Sequence, residues 1–152
     1  MTHETIREAT EADLPQIVAL LAQLDPDDPG REDTTSPLPA AYQSALQRLT
    51  GAGHKLFVLD DGSRLLGTLA LYVVPNISHN GSPFAVVENV VVDDQERSKS
   101  YGKLLMERAE ETARALGCYK LTLTSNKRRA EAHRFYERLG FQRSSEGFRK
   151  NL

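Results

Sequence analysis

Glu88 stands inside FAVVENVVV (84–92), a run otherwise dominated by apolar and β-branched residues that reads as a strand. On a strand its same-face neighbours are Val86 and Val90, so the pattern places a carboxylate among valines. Burial there raises a carboxyl pKa toward neutrality, which suits a general base; the competing reading is a paired or solvated carboxylate at a sheet opening. Asn89 points to the opposite face and reads as a structural hydrogen-bonder. Further on, Arg97-Ser98-Lys99-Ser100-Tyr101-Gly102-Lys103 is polar and basic. Beyond it the apolar period becomes helical, with Leu105, Ala109, Ala113 and Leu116 on one face. A strand feeding a basic turn that opens a helix makes an anion site: free N–H groups point outward, the helix dipole is positive there, and Gly102 lets a ligand approach closely. Neither a nucleoside-triphosphate loop nor a dinucleotide fingerprint fits, because the glycines each needs are missing.

Other residues carry weaker signals. Tyr136, in FYERLGF, reads by spacing as a core aromatic on a helix, as do Phe135 and Phe141. Lys127-Arg128-Arg129 reads as a solvated basic loop or a nucleic-acid contact. His3, His54, His79 and His133 show no zinc-ligand spacing, alone or with the single cysteine Cys118, so no metal site is expected. Cys118 packs as a small hydrophobe.

These groups need a scaffold of alternating elements. Thr5–Glu8 reads as a strand, and a helix capped by Asp13 runs to about Leu24, with Pro15 in its first turn. Residues 25–39 (DPDDPGREDTTSPLP) form an acidic, proline-rich loop, and Ala40–Thr50 a second helix closed by Gly51 and Gly53. Lys55–Leu59 and Arg64–Val74 pair through a turn at Asp60-Asp61-Gly62-Ser63, and a turn over Pro75–Pro83 leads back to the strand holding Glu88. The helix from Tyr101 ends at Gly117, Tyr119–Thr124 is a strand, and Arg129–Leu139 a helix ended by Gly140. Phe141–Arg143 and Gly147–Lys150 read as short closing strands. The expected order is β-α-α-β-β-β-α-β-α-β-β, an α/β domain with a mixed central sheet.

The chain's 152 residues suit one domain, 1–152, with ordinary apolar and charged content for a soluble protein. No apolar run is long enough for a membrane span and MTHETIRE lacks a signal-peptide core, so a cytoplasmic protein without membrane contact is expected. Charge is uneven: residues 1–94 hold 5 Lys/Arg against 14 Asp/Glu, and residues 95–152 hold 14 against 7. That asymmetry fits a polyanion on one side and an amine on the other, although solvated helix faces alone also produce it. The acidic half and the scattered aromatics argue against a nucleic-acid partner.

Three stretches resemble the GNAT N-acetyltransferase family. Arg97-Ser98-Lys99-Ser100-Tyr101-Gly102 follows a Val-rich strand and resembles the family's Arg/Gln-x-x-Gly-x-Gly/Ala loop, with Ser100 where the first glycine is usual. Phe135-Tyr136-Glu137-Arg138-Leu139-Gly140-Phe141 resembles its F/L-Y-x-x-x-G-F segment. Thr5-Ile6-Arg7 with Asp13-Leu14-Pro15 resembles its opening strand and helix. The order of elements agrees over nearly the whole chain.

The resemblance implies the GNAT fold and direct transfer of acetyl from acetyl-coenzyme A to a primary amine in a ternary complex, with no metal. It implies that the backbone of Val90, Val91 and Val92 holds the pantetheine arm and that N–H groups of Arg97, Ser98, Lys99, Ser100, Tyr101, Gly102 and Lys103 cradle the pyrophosphate. It also implies Glu88 as base, through water, and Tyr136 as the proton donor to the departing thiolate. The family often has an asparagine seven residues before that tyrosine. Arg129 stands there and Asn126 lies three residues upstream, and both are candidate coenzyme contacts. Small amines such as aminoalkylphosphonates, amino sugars or aminoglycosides are the expected acceptors, and a homodimer is common among relatives. A protein lysine or N-terminal amine as acceptor, or a coenzyme A sensor without turnover, are the alternatives.

Overall fold

The computed structural model of the protein describes residues 3–28 and 30–152. The chain divides after Thr122 into two compact units, described in turn.

The sheet has strand order β1-β2-β3-β4-β5, comprising β1 (Thr5–Glu8), β2 (Lys55–Asp60), β3 (Leu65–Val74), β4 (Phe84–Val92) and β5 (Leu121–Leu123), and all of it but the last residue of β5 belongs to the first unit. The first four strands pair antiparallel. Beside β4 the chain leading into β5 advances in the same direction, with Tyr119 N–H donating to Pro83 O and Ala85 N–H to Lys120 O, both at 3.0 Å, which makes the sheet mixed.

Alternation along β2 and β3 supplies an apolar set to each face. On one side Ile17 and Leu20 of α1 (Leu14–Leu21) pack with Val58, Leu65 and Val91. On the other lies α4 (Tyr101–Ala115), whose Leu105, Met106, Ala109 and Ala113 are buried and whose Arg108 guanidinium sits 5.9 Å from the centre of the Phe57 ring. Gly67 permits this closeness: a Cβ there would meet Val91 O at 2.9 Å and Leu105 Cδ1 at 3.1 Å. A second helix, α2 (Ala40–Gly51), buries only Leu46. A single irregular turn, α3 (Ser78–Gly81), lies between β3 and β4, with His79 and Asn80 both left-handed.

The start of α1 departs from expectation. A 3₁₀ turn over Glu11–Asp13 precedes it, and α1 ends at Leu21 rather than near Leu24. Asp13 closes that turn by accepting from Thr10 N–H at 2.7 Å and from the Thr10 hydroxyl at 3.2 Å; its main partner is Arg7, which grips it bidentately at 2.7 and 2.9 Å while also donating to Asp60. The pair ties β1, β2 and α1 together. The turns before β3 and after α4 contain Gly62 (φ 93°) and Gly117 (φ 79°) as expected, whereas Leu116, placed by spacing on the buried face of α4, is 44% exposed.

The second unit holds α5 (Ala130–Arg138), again shorter by a residue at each end than its sequence pattern. The two closing strands do not form: residues 139–152 carry no regular structure. This stretch is largely polar and exposed, and it is held by side chains instead, Arg143 donating to His133 Nδ1 at 2.8 Å and pairing with Glu137 at 3.0 Å.

Candidate active site

The geometry around Glu88 begins with a bulge in β4. Thr68 of β3 faces Val91 and Ala70 faces Glu88, so Leu69 stands against two residues, Asn89 and Val90. Asn89 takes a left-handed conformation (φ 55°) to make the insertion. Its role is thus backbone geometry and not the side-chain hydrogen bond its position suggested. The bulge reverses the strand's alternation, sending Val91 to the α1 face and interrupting the ladder ahead of Val90–Val92.

Glu88 itself is exposed, and Val86 and Val90 are only half-buried. The expectation of a carboxylate sunk among valines fails: Glu88 stands beside the bulge with its side chain open to solvent. Glu88 instead lines a shallow groove of about 460 Å³ with His54, Tyr72, Val74, Pro75 and Val86. It forms no ion pair or hydrogen bond among the described residues. Tyr72 lies diagonally across from it, next to Ala70's partner position, and its phenol is pushed up first by burial and then by the Glu88 charge.

Downstream of β4, a 3₁₀ turn over Asp94–Glu96 leads to the basic loop. Ser98 (φ 76°) and Ser100 (φ 63°) are both left-handed, the region natural to glycine, so Ser100 holds the glycine conformation without being glycine. Ser100 is the N-terminal cap residue of α4 but its side chain caps nothing; its carbonyl accepts from Leu104 N–H at 3.2 Å. The N–H groups from Arg97 to Lys103 meet no acceptor among the described residues, leaving an array of donors at the positive end of a long helix. Such a donor array fits the pyrophosphate of a coenzyme.

The loop's side chains are used unevenly. Arg97 is exposed and unpaired among the described residues. Lys99 is already paired, its Nζ lying 2.5 Å from Glu96, and Lys103 reaches toward Glu107 at 3.8 Å. Tyr101 turns its hydroxyl to Glu4 at 2.9 Å, so only its backbone is free for a ligand. Sequence reasoning missed Arg64, which binds both Asp93 (2.9 Å) and Glu96 (2.5 Å), and Gln23 of the α1 side, whose Oε1 accepts from Asp94 N–H at 2.9 Å. Both brace the loop from distant parts of the chain, and no local pattern signals them.

In the second unit, Tyr136 is half-buried between Phe135 (5.1 Å between ring centres) and Phe141 (6.0 Å, edge-on). Burial raises its phenol pKa, against a smaller opposing effect of Arg129. A phenol so shifted keeps its proton at neutral pH. Asn126 and Arg129 take local roles: Asn126 Oδ1 accepts from Arg128 N–H, its carbonyl accepts from Arg129 N–H and from His133 Nε2–H, and Arg129 caps α5. Ser125 Oγ is buried with no partner among the described residues.

A β-bulge followed by an open donor array at a helix start, on a mixed sheet and downstream of an exposed carboxylate, is an arrangement of an α/β domain able to receive an anion. Residues 18–141 match the model of the acetyltransferase (GNAT) family. The chain belongs to this family and is an acetyl-coenzyme A-dependent N-acetyltransferase. It is 30% identical over 147 residues to a glucosamine 6-phosphate N-acetyltransferase of Trypanosoma brucei brucei, covering 97% of this chain and 95% of that one. It is 31% identical over 99 residues to an aminoalkylphosphonate N-acetyltransferase of Salmonella typhimurium, 65% of this chain and 63% of the relative. Among solved structures, one described as a transcriptional regulator from Bacillus halodurans C-125 superposes with a TM-score of 0.92 at 37% identity, covering 99% and 100% of the two chains. These relatives support N-acetylation of small-molecule amines in general. No helix of the described residues is long and apolar enough to cross a membrane.

Proposed function

We propose that the chain transfers acetyl from acetyl-coenzyme A to the primary amine of a small molecule bearing oxygen-rich or anionic groups, by direct attack in a ternary complex. The observation that carries this reading is the continuity of one strand: Glu88 in the groove, the bulge at Asn89, then Val90–Val92 leading to the free N–H groups of residues 97–103. Acceptor chemistry and coenzyme anchoring thus sit on a single segment. Residues 1–152 act in this reading as one catalytic domain.

Bound acetyl-coenzyme A supplies the activated acyl carbon. The backbone of Val90–Val92 binds its arm, and the loop's N–H groups take its pyrophosphate, with Arg97 adding charge. Glu88, solvent-accessible and unpaired, accepts a proton from the acceptor ammonium through water; only the neutral amine has a lone pair for attack. Tyr136 delivers a proton to the departing sulfur. Asn126 and Arg129, at the turn before α5, are further candidate coenzyme contacts in this reading.

The relatives named above act on a sugar phosphate and on aminoalkylphosphonates, which makes those two amine classes the first acceptors to try. Thiol release measured with glucosamine 6-phosphate, 2-aminoethylphosphonate and lysine-containing peptides tests the proposal. Turnover is expected with a small amine and not with peptides; peptide acetylation alone would replace this reading with a protein acetyltransferase.

A further inference from the structure

The groove beside Glu88 holds polar groups with no partner among the described residues. His54 accepts from Val73 N–H through Nδ1 at 3.0 Å, which places the proton of the neutral ring on Nε2 and leaves that N–H as an unspent donor. The Tyr72 hydroxyl has no hydrogen-bond partner among the described residues, and the Glu88 carboxylate has none either. The His54 and Tyr72 rings lie 5.1 Å apart, tilted by 57°, and form one wall with Val74, Pro75 and Val86. The wall is therefore apolar and aromatic, studded with two donors and one anion.

We infer that His54 and Tyr72 are the residues that recognise the acceptor, and that the acceptor is a hydroxylated or sugar-like amine rather than a plain alkylamine. This rests on the proposed function, since it places the acceptor at Glu88. A carboxylate attracts an ammonium, and a small molecule that displaces water from the two donors on the same wall binds best when it carries acceptor oxygens there. Hydroxylated rings present just such a surface: C–H groups on a face that lies against aromatic rings, and oxygens around the edge. An alkylamine would displace water from the Tyr72 hydroxyl and the His54 N–H without replacing its hydrogen bonds, which disfavours it against an amine carrying an oxygen there.

The test compares glucosamine with cyclohexylamine, matched in ring size but lacking the oxygens, at saturating acetyl-coenzyme A. The variants are His54→Asn, whose amide oxygen still offers Val73 N–H an acceptor, and Tyr72→Phe, which keeps the ring. The parent should prefer glucosamine by kcat/KM at least tenfold. Tyr72→Phe should raise KM for glucosamine fivefold or more while changing cyclohexylamine less than twofold. His54→Asn, which also removes a ring from the wall, should cost glucosamine at least fivefold more than it costs cyclohexylamine. Neither should change KM for acetyl-coenzyme A by as much as twofold. Equal losses for both amines would show that His54 and Tyr72 merely support the fold, and no loss would remove them from the site; either overturns the inference while leaving the proposed function standing. If the parent acetylates neither these amines nor the phosphorylated ones, the proposed function fails, and the inference fails with it.

Discussion

The guanidinium of Arg64, just before β3, donates to Asp93 at 2.9 Å, and its other nitrogen reaches Glu96, so the end of β4 and the turn after it hang on one side chain. Glu96 in turn binds Lys99. Arg64 is exposed enough that its ion pairs contribute little to global stability, but they fix where the donor array of residues 97–103 stands. Arg64→Met should therefore raise KM for acetyl-coenzyme A by about tenfold, with kcat and the amine's KM close to the parent. Arg64→Lys should recover part of the loss. Equal damage to kcat would show that the network does more than place the loop.

Ser100 occupies a left-handed conformation that costs a non-glycine residue about 1 kcal/mol or more. Ser100→Gly should raise the melting temperature by about 2 to 4 °C and leave or tighten coenzyme affinity. A drop in affinity would assign the Ser100 hydroxyl a contact of its own.

Gly67→Ala should do the reverse. Its methyl would press on Val91 O and Leu105 Cδ1, both fixed in the core, and cost about 1 to 3 kcal/mol in denaturant unfolding. Because the same contact seats α4 against the sheet, coenzyme affinity should fall with stability.

Much of this was legible in the sequence, and what was not has physical causes. Strands β2 to β4 and helices α1 and α4 follow from apolar periodicity and from Gly62 and Gly117, because each buries apolar residues against the others, whereas β1 and α2, which bury little, follow from their local residue types. The strand–turn–helix arrangement around residues 97–103 was legible because its parts are adjacent in sequence. Glu88's exposure was not, since a half-open sheet and a covered one share the same alternation until the helices are placed. The bulge at Asn89 hides equally well: one inserted residue shifts parity without changing composition. Arg64, Gln23 and His54 act across long separations, and the closing strands failed because polar residues 142–150 supply no apolar face to bury.

Asp13 gives a pH signature of the fold. Hydrogen bonds from Arg7 hold its carboxyl down, from the ordinary 3.8 to about 2. A lowered carboxyl pKa contributes stability that is fully present above about 4 and is lost as pH falls toward 2, amounting to about 2 kcal/mol. Urea unfolding of the parent and Asp13→Asn should differ by at least that much at pH 7, and the gap should narrow by pH 2. A gap constant over that range would mean that Asp13 contributes by packing and not by charge.

Tyr136→Phe separates the hydroxyl from the ring that packs on Phe135 and Phe141. Stability and coenzyme affinity should be unchanged while kcat falls, and the deficit should shrink at low pH, where solvent protonates the leaving thiolate more readily. Full activity would make Tyr136 a packing residue alone.

The measurement closest to the central claim is kcat/KM for the acceptor against pH, at saturating acetyl-coenzyme A, for the parent and Glu88→Gln, with coenzyme affinity measured by calorimetry on the same preparations. Glu88 as base predicts a loss of about 10² to 10⁴ at neutral pH with coenzyme affinity within twofold. Activity of Glu88→Gln within twofold of the parent at every pH would contradict it.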